Sequence, residues 1–343
     1  MSVEIIAQVD AFARLGDEWN ELASRYESPL TRHEWFLSCA EAFREDGELS
    51  IVIVRDSGRL CAAVPLVRAP IHQGGSYQLL GVPRLWEPSA LLYDAPAALV
   101  ELCRALVGLR RPIFLGRIFR DTNFAVAMRN ACAGTGLLCA ARVSPSPFLM
   151  VDRSWLEFTQ SRSSRRRYDL RRAHKALEQR GAARIEMLRP APEDVDAVLA
   201  DAFAIEASGW KGKKGSAMSA KPVMAAFIRR YAYRAAQAGV LRVSFLHIEG
   251  RPIAMQIGVE WARRHWILKI GYDESWASAS PGVVLMHETV RQVFEAGLVA
   301  CEFLGSPEPW LRLWTRRAHP CRAFRYYPYS IASLWGYLRR PAV

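Results

Sequence analysis

The chain has 343 residues, of which 51% are hydrophobic and 23% charged, and its formal net charge is +12. This length suits one large or two medium domains, and the balance is typical of a globular protein and argues against long disordered regions. The N-terminal segment mixes acidic with apolar residues, unlike a signal peptide, and no run approaches the ~18 apolar residues of a membrane span. We therefore expect a soluble, cytoplasmic protein without a transmembrane segment.

The first half of the chain contains a hairpin signature. Residues 51–67, IVIVRDSGRLCAAVPLV, predict two strands joined by a turn in which Gly58 supplies a positive φ. A stretch rich in proline and serine, SPSPFLMVD at 144–152, follows later and marks a boundary. We predict two domains, residues 1–150 and residues 151–343.

Positive charge is concentrated in residues 162–180, RSSRRRYDLRRAHKALEQR, which predict one amphipathic helix. One interpretation is a solvated helix face. The other is contact with a polyanion: a nucleotide-linked substrate, the phosphates of CoA, tRNA or an acidic membrane surface. Arg165, Arg166 and Tyr168 are the candidates for substrate binding, because arginine forks bind phosphate oxygens in bidentate fashion and a tyrosine hydroxyl adds a donor.

A second hairpin signature, LRVSFLHIEGRPIAMQIGV at 241–259, places Gly250 where Gly58 stands in the first, which favours two similar α/β halves. Trp210 and Lys211 precede it in a glycine-rich loop. They are candidates to cover an acceptor, and a core anchor is the alternative for Trp210. Glu260 ends the second strand, where it either faces the reacting centre or is an ordinary solvent-facing glutamate.

Residues 265–290, HWILKIGYDESWASASPGVVLMHETV, predict a strand, a polar loop and a helix that begins at Pro281. A helix start directs unpaired N–H groups and a positive dipole end outward, and it can hold a diphosphate. The predicted cofactor-binding residues are Ser280, Pro281, Gly282, Val283 and Val284.

Three residues beside this turn are candidates for the chemistry. Tyr272 could donate a proton and Asp273 could orient a reactant, whereas turn formation is the alternative role for both. Lys269 interrupts an apolar strand, so its charge points either to solvent or into a cleft. Together with Glu260 these form the predicted catalytic set.

The other motifs that we considered mainly exclude classes of functional site. The seven cysteines have no CxxC spacing and sit among apolar neighbours, which indicates reduced, buried thiols. The histidines show no metal-ligand spacing, so we predict no metal, and there is neither a GxSxG elbow nor a Walker loop. Trp314 follows the last predicted strand, and we expect it to pack the chain end onto the second half.

Several blocks in order resemble the GNAT-like acyltransferases associated with bacterial cellulose and exopolysaccharide synthesis (the CelD/BcsL type), distant relatives of the FemAB peptidyltransferases. They are SRSSRRRYDLRRAHKALEQRG, LHIEGRPIAMQIGV, LKIGYDESWASASPGVVLMHETV and EFLGSPEPW. The resemblance implies an α/β (α+β) fold of two tandem GNAT-like lobes, each a mixed, mostly antiparallel sheet flanked by helices. It also implies acetyl-CoA or another acyl-CoA as donor, although Ser280-Pro281-Gly282 replaces the usual Q/RxxGxG/A loop.

The resemblance implies an N-acyltransferase, most simply an acetyltransferase, acting on an amino group of an anionic or nucleotide-linked acceptor such as an amino sugar. Two alternatives remain. A FemAB-like enzyme would take an aminoacyl group from tRNA, the one case in which we expect a nucleic-acid partner. A catalytically inactive partner of a polysaccharide synthase would associate peripherally with an envelope-synthesis complex.

Overall fold

The computed structural model describes residues 1–70, 75–119, 121–208 and 221–329. The chain forms two compact units. The first comprises Met1–Ser146, Gly305–Pro307 and the chain from Ala318 onward, and the second comprises Pro147–Leu304 and Glu308–Arg317. The division after Ser146 lies close to the predicted boundary at residue 150, but the C-terminal strand belongs to the first unit rather than to the second. The second unit is therefore inserted within the sequence of the first.

The first unit is a mixed sheet flanked by helices. Its strands are β1 (Ser2–Ile6), β2 (Glu48–Asp56), β3 (Arg59–Arg68), β4 (Tyr77–Leu79), β5 (Leu92–Tyr93), β6 (Ile113–Phe119) and β13 (Ala318–Pro328). Its helices are α1 (Val9–Ala13), α2 (Gly16–Ala23), α3 (His33–Ala42), α4 (Val82–Leu85), α5 (Pro96–Gly108) and α6 (Thr122–Ala131). The sheet order is β1-β2-β3-β4-β6-β13, with β5 paired to β3.

The second unit is also a mixed sheet flanked by helices. Its strands are β7 (Gly136–Met150), which begins in the first unit, then β8 (Ala183–Leu188), β9 (Leu241–Ile248), β10 (Arg251–Trp261), β11 (Arg264–Tyr272) and β12 (Ala300–Glu302). Its helices are α7 (Trp155–Gln160), α8 (Ser164–Glu178), α9 (Val195–Ser208), α10 (Pro222–Gln237) and α11 (Pro281–Glu295). The sheet order is β8-β9-β10-β11-β12-β7. Among the described residues, no helix is both long and apolar enough to cross a membrane.

The two sheets repeat one pairing pattern. In the first unit, each of the strands β1 to β3 pairs antiparallel with the next strand along the chain. Strand β4 then pairs with β6 in parallel, and β6 pairs with β13 antiparallel. In the second, β8 to β11 pair antiparallel, β11 pairs with β12 in parallel, and β12 pairs with β7 antiparallel. This repetition agrees with the two similar halves that the hairpin signatures predict.

Both predicted hairpins have the same turn. Ser57 and Gly58 have φ of 50° and 84°, and Glu249 and Gly250 have φ of 49° and 76°. Two consecutive positive φ values define the tight turn that matches the twist of antiparallel strands, and glycine adopts the second value at little cost. The role predicted for each glycine is confirmed.

Helix α11 is held by apolar side chains on one face. Val284 and Leu285 pack with Ile253 of β10, whereas Met286, Val290 and Val293 pack with residues of β7, β11 and β12. Each fully buried aliphatic side chain contributes roughly 1.5–3 kcal/mol to stability, so this face fixes the helix firmly on the sheet. The start of α11 is therefore a rigid platform. All seven cysteines are free thiols, and six of them are buried, as predicted.

Candidate functional site

The strands β11 and β12 form a wedge in the second unit. They pair in parallel through Trp266 and Glu302, after which β11 continues to Tyr272. The chain after Glu302 instead follows β7, because the Phe303 N–H donates to the Pro147 carbonyl at 3.0 Å. Among the described residues, the last part of β11, directly before α11, therefore has no paired strand on that side.

A β-bulge lies in the same part of β11. Ile257 pairs with Lys269 and Gly258 pairs with Ile267, so Leu268 is an extra residue in the strand. A Cβ on Gly258 would come 2.6 Å from the Trp266 carbonyl oxygen, which is why glycine is needed opposite the bulge. Bulges redirect backbone groups and side chains beside functional sites.

Helix α11 begins with a strained residue. Ser280 has φ 53° and ψ 50°, the left-handed conformation, although it is not glycine and precedes a proline, which favours extended backbone. Pro281 has no N–H, so Gly282 carries the first amide of the helix. The amides of Val283 and Val284 donate to the Ser280 carbonyl at 3.0 and 3.3 Å. Strain of this kind at a helix start is typical of a ligand-binding turn.

The predicted cofactor-binding residues differ in exposure. Ser280 and Val283 line a cavity, whereas Pro281 is buried at the helix start. Val284 is only 2% exposed and belongs to the apolar core, so its side chain is not available to a ligand. The structure thus brings Ser280, Gly282 and Val283 together at an accessible helix start.

Tyr272 and Asp273 occupy different environments. The half-buried Tyr272 ring lies against the backbone of Gly282. Asp273 is buried and caps the 3₁₀ turn Glu274–Ala279, accepting from the Ser275 amide at 3.0 Å and the Ser275 hydroxyl at 2.8 Å. Its second oxygen forms an ion pair with Arg251 at 2.7 Å. Asp273 therefore stabilises a turn, which is the alternative role that the sequence analysis gives for it.

Glu260 and Lys269 are not brought together with Tyr272. Glu260 forms an ion pair with Arg242 at 2.6 Å and pairs opposite His265, near the start of β11. Tyr272 pairs with Ala254, six residues earlier along β10, which at the usual strand rise separates the two ends by about 20 Å. Lys269 is half-buried at the bulge.

A cavity of about 600 Å³ lies between α7, α8 and the first two turns of α11. Trp155, Phe158, His287 and Trp314 contribute aromatic rings to its wall, and four arginines complete it: Arg162, Arg166, Arg167 and Arg172. His287 stands 5.1 Å from Trp155 and 6.1 Å from Trp314 between ring centroids. Aromatic surfaces combined with arginine forks suit an anionic ligand that carries a flat ring.

The basic helix presents only part of its charge to this cavity. Arg166 is half-buried and lines it, whereas Arg165 is exposed and Tyr168 is 58% exposed, and neither lines it. Arg166, Asp169, Leu170 and Ala173 line the cavity together because they recur at helical spacing on α8. The other two predicted substrate-binding residues, Trp210 and Lys211, lie outside the described residues.

The spacing of the histidines along the sequence does not reveal which of them lie close together in space. His174 of α8 lies near His287 and Glu288 of α11, with possible ligand atoms all within 4.8 Å of one another. Glu288 is already paired with Arg291 at 2.7 Å. Burial, followed by His174 and Arg291, lowers the pKa of His287 to about 4. The guanidinium groups of Arg291 and of the arginines that line the cavity disfavour a bound cation, even though neutral imidazoles are competent metal ligands.

The most informative cavity residues were not predicted as site residues. Phe158 and Trp155 precede the basic run, Trp314 is predicted only to pack the chain end, and no sequence pattern marks His287. A capping box, Ser154 with Glu157, starts α7 and was a readable sequence signal for this short helix. Its contact with α11 needs the tertiary fold.

Residues 164–312 match a family model described as an acetyltransferase (GNAT) domain. The chain matches none of the curated protein sequences. Its fold is similar to that of FemX, at 10% identity, covering 99% of this chain and 100% of that one, with a TM-score of 0.60. It is also similar to the C-terminal domain of a protein described as a lysylphosphatidylglycerol synthetase from Agrobacterium fabrum, at 12% identity, 95% coverage of both chains and a TM-score of 0.57.

A conserved protein of unknown function from Bacteroides thetaiotaomicron is similar as well, at 10% identity, covering 95% of this chain and 99% of that one, with a TM-score of 0.59. Identities this low bear on the fold alone. The match of residues 164–312 to the GNAT domain model and the similarity to FemX confirm the predicted mixed α/β GNAT-like fold.

Proposed function

We propose that the protein is an N-acyltransferase that moves an acyl group, most simply acetyl, from acyl-CoA to an amino group. The wedge beside β11 carries this proposal. It opens at the bulged strand and ends at the strained start of α11, so a thioester can enter beside the strand while its diphosphate meets the Gly282 amide. A helix start stabilises a diphosphate through its N–H groups and its dipole.

The reaction forms one bond and breaks another. The neutral amine attacks the thioester carbonyl, the tetrahedral oxyanion collapses, and the C–S bond breaks to release the thiol and the amide. The amine proton leaves to solvent or to a nearby base, and Tyr272 donates a proton to the departing thiolate. Thioesters are already activated, so holding the two reactants together supplies much of the rate.

The acceptor that fits best is an amine joined to an anionic group. Arginines crowd the accessible face of α8 and the neighbouring cavity, and this charge suits a nucleotide-linked or otherwise phosphorylated amino sugar. Such an acceptor agrees with the resemblance to the exopolysaccharide-associated CelD/BcsL type. It would place the protein in the cytoplasm, in transient association with an envelope-synthesis complex.

The test is thiol release from acetyl-CoA in the presence of a panel of amino sugars and their nucleotide-linked forms, with the acylated product identified by mass spectrometry. We expect release that depends on both donor and acceptor. Mass spectrometry of the freshly purified protein should also detect bound CoA species. Absence of release with every donor, together with tight binding to a polysaccharide synthase, would favour the non-enzymatic alternative.

The second candidate is aminoacyl transfer from tRNA. The observation that favours it is the fold similarity to FemX over nearly the whole chain, together with the net charge of +12. The discriminating measurement is nuclease treatment of the donor. Transfer that stops when RNA is digested, and that acetyl-CoA does not support, would replace the first candidate with this one.

A further inference from the structure

Two cavities meet in the second unit. The one of about 600 Å³ adjoins a smaller one of about 280 Å³, and Phe158, Arg162, Arg166 and Trp314 line both. The smaller cavity is strongly basic, with Arg153, Arg312, Arg316 and Arg317 in its wall. The four shared residues therefore form a junction between an aromatic chamber and a cationic one.

Two buried N–H donors at this junction have no hydrogen-bond partner in the described structure. They are Nε of Arg162 and Nε1 of Trp314. Trp314 is only 5% exposed, so its N–H has no ready access to bulk water. A buried donor left unsatisfied costs about 1–3 kcal/mol, and two at one junction indicate a missing acceptor.

Arg162 is fixed in position to receive that acceptor. Its Nη1 donates to the Leu313 carbonyl at 3.1 Å, and its guanidinium lies 3.9 Å from the centroid of the Phe158 ring. Burial, followed by the charges of Arg166 and Arg153, lowers the pKa of Arg162. The surroundings thus destabilise its positive charge, and an anion bound beside it would reverse this.

The chemistry of the two chambers identifies the kind of anion. Phosphate accepts several hydrogen bonds at once and matches the arginine fork, whereas the rings of Trp155 and His287 offer surfaces for a base. Asp169, in the wall of the larger chamber, could accept from an exocyclic amine or a ribose hydroxyl. In the smaller chamber Asp152 is neutralised by Arg153 and Arg317 at 2.9 and 3.0 Å.

We propose that Arg162 and Trp314 form a phosphate-binding site for a nucleotide whose base occupies the larger chamber. Arg162 precedes α8 and Trp314 follows the 3₁₀ turn Pro309–Leu313, so this phosphate site is built from other segments than the helix start at Ser280. The same chemistry has two sources: the ribose phosphate at the nucleotide end of an acyl-CoA, or the phosphate of a nucleotide-linked acceptor.

The inference does not rest on acyl transfer, because nucleotide binding is measurable without turnover. Calorimetry with adenosine 3′,5′-bisphosphate and adenosine compares the natural protein with Trp314→Phe, which keeps a flat ring and loses the N–H, and with Arg162→Gln. The bisphosphate carries a phosphate at both ribose positions that the two sources would use. We expect each variant to bind it about tenfold more weakly and adenosine with unchanged affinity, since one charge-assisted hydrogen bond is lost.

Matched controls are available within the same unit. Trp276→Phe changes a tryptophan outside both cavities, and Arg171→Gln removes an exposed charge from the same helix. Both controls should bind adenosine 3′,5′-bisphosphate like the natural protein, and melting temperatures would show that all four variants fold. Unchanged affinity for the bisphosphate in both Trp314→Phe and Arg162→Gln would overturn the proposal.

The source of the phosphate is resolved by two further probes. If Trp314→Phe weakens the binding of CoA but not that of CoA without its ribose phosphate, the site binds the donor. If it weakens the binding of a UDP-linked amino sugar and leaves CoA binding unchanged, the site binds the acceptor. Nucleotide binding that depends on Trp314, in a protein that transfers no acyl group, would uphold this site while rejecting the proposed function.

Discussion

The ring of Tyr272 lies against the backbone of Gly282, so that a Cβ on Gly282 would come 3.3 Å from Cδ1 of Tyr272. The end of strand β11 and the start of helix α11 are therefore in direct contact. A group held by the Gly282 amide would lie close to the tyrosine ring. This contact connects the proposed binding of a diphosphate to the proposed transfer of a proton.

The first prediction concerns space at the helix start. Gly282→Trp should abolish acyl-CoA binding in calorimetry, because the indole would occupy the position of the diphosphate and displace Tyr272. Gly108→Trp is the matched control, since a Cβ at that exposed position of α5 meets nothing within 4 Å. Normal acyl-CoA affinity in a folded Gly282→Trp protein would show that the donor binds at another place.

The second prediction concerns the Tyr272 hydroxyl. Tyr272→Phe keeps the ring against Gly282, so KM for the donor should stay within about twofold while kcat falls about a hundredfold, the usual size of a general-acid contribution. Tyr233→Phe, at a tyrosine 48% exposed on α10, should leave both constants unchanged. An unaltered kcat in Tyr272→Phe would reduce this residue to a packing role.

The third prediction separates Glu260 from the chemistry. Glu260→Gln leaves Arg242, only 14% exposed, without its charge partner, and should lower the free energy of unfolding by about 1–2 kcal/mol with kcat unchanged. Glu48→Gln breaks a comparable pair with Arg68, but Glu48 is 72% exposed, so the loss in urea titration should stay below about 0.5 kcal/mol. A large fall in kcat at full stability would restore Glu260 as a catalytic base.

The fourth prediction concerns acid stability. Burial lowers the pKa of His265 to about 4, with a smaller opposing influence from Glu260. The folded protein therefore binds this proton less readily than the unfolded chain does, and the stability present above about pH 6.5 is lost as the pH falls toward 4. Because of His265 alone, the free energy of unfolding should be about 2 kcal/mol lower at about pH 5 than at about pH 7.5.

The histidine variant tests this assignment directly. His265→Gln removes the titrating group, so the difference between the two unfolding free energies should shrink by about 2 kcal/mol. His287 titrates in the same direction and should retain part of the pH dependence. If His265→Gln and the natural protein lose equal stability on acidification, the protonation of His265 is not linked to unfolding.

Local patterns in the sequence are sufficient to predict much of the fold. The glycines of both hairpins, the proline at the start of α11 and the apolar stripe through Val290 each reflect short-range geometry, and each feature occurs as predicted. Such signals depend on a few neighbouring residues. Strand β13 was missed because its pairing with β6 joins residues about 200 positions apart, which no local pattern encodes.

The candidate site was less predictable for the same reason. Ser280 and Gly282 could be identified because a helix start has its own signature, and Arg166 because arginine runs are visible. The register of β10 and β11 separates Glu260 from Tyr272 by about 20 Å, a distance that no local pattern encodes. Trp314 and Phe158 meet Arg162 through packing of separate segments, and a tryptophan near a chain end carries no local mark of such a role.

The insertion of one unit within the other has a consequence for synthesis on the ribosome. Strand β6 pairs with β13, whose residues leave the exit tunnel after those of the inserted unit. The sheet of the first unit can thus be completed only after all strands of the inserted unit have been synthesised. Nascent chains should protect α11 from proteolysis earlier than they protect β6.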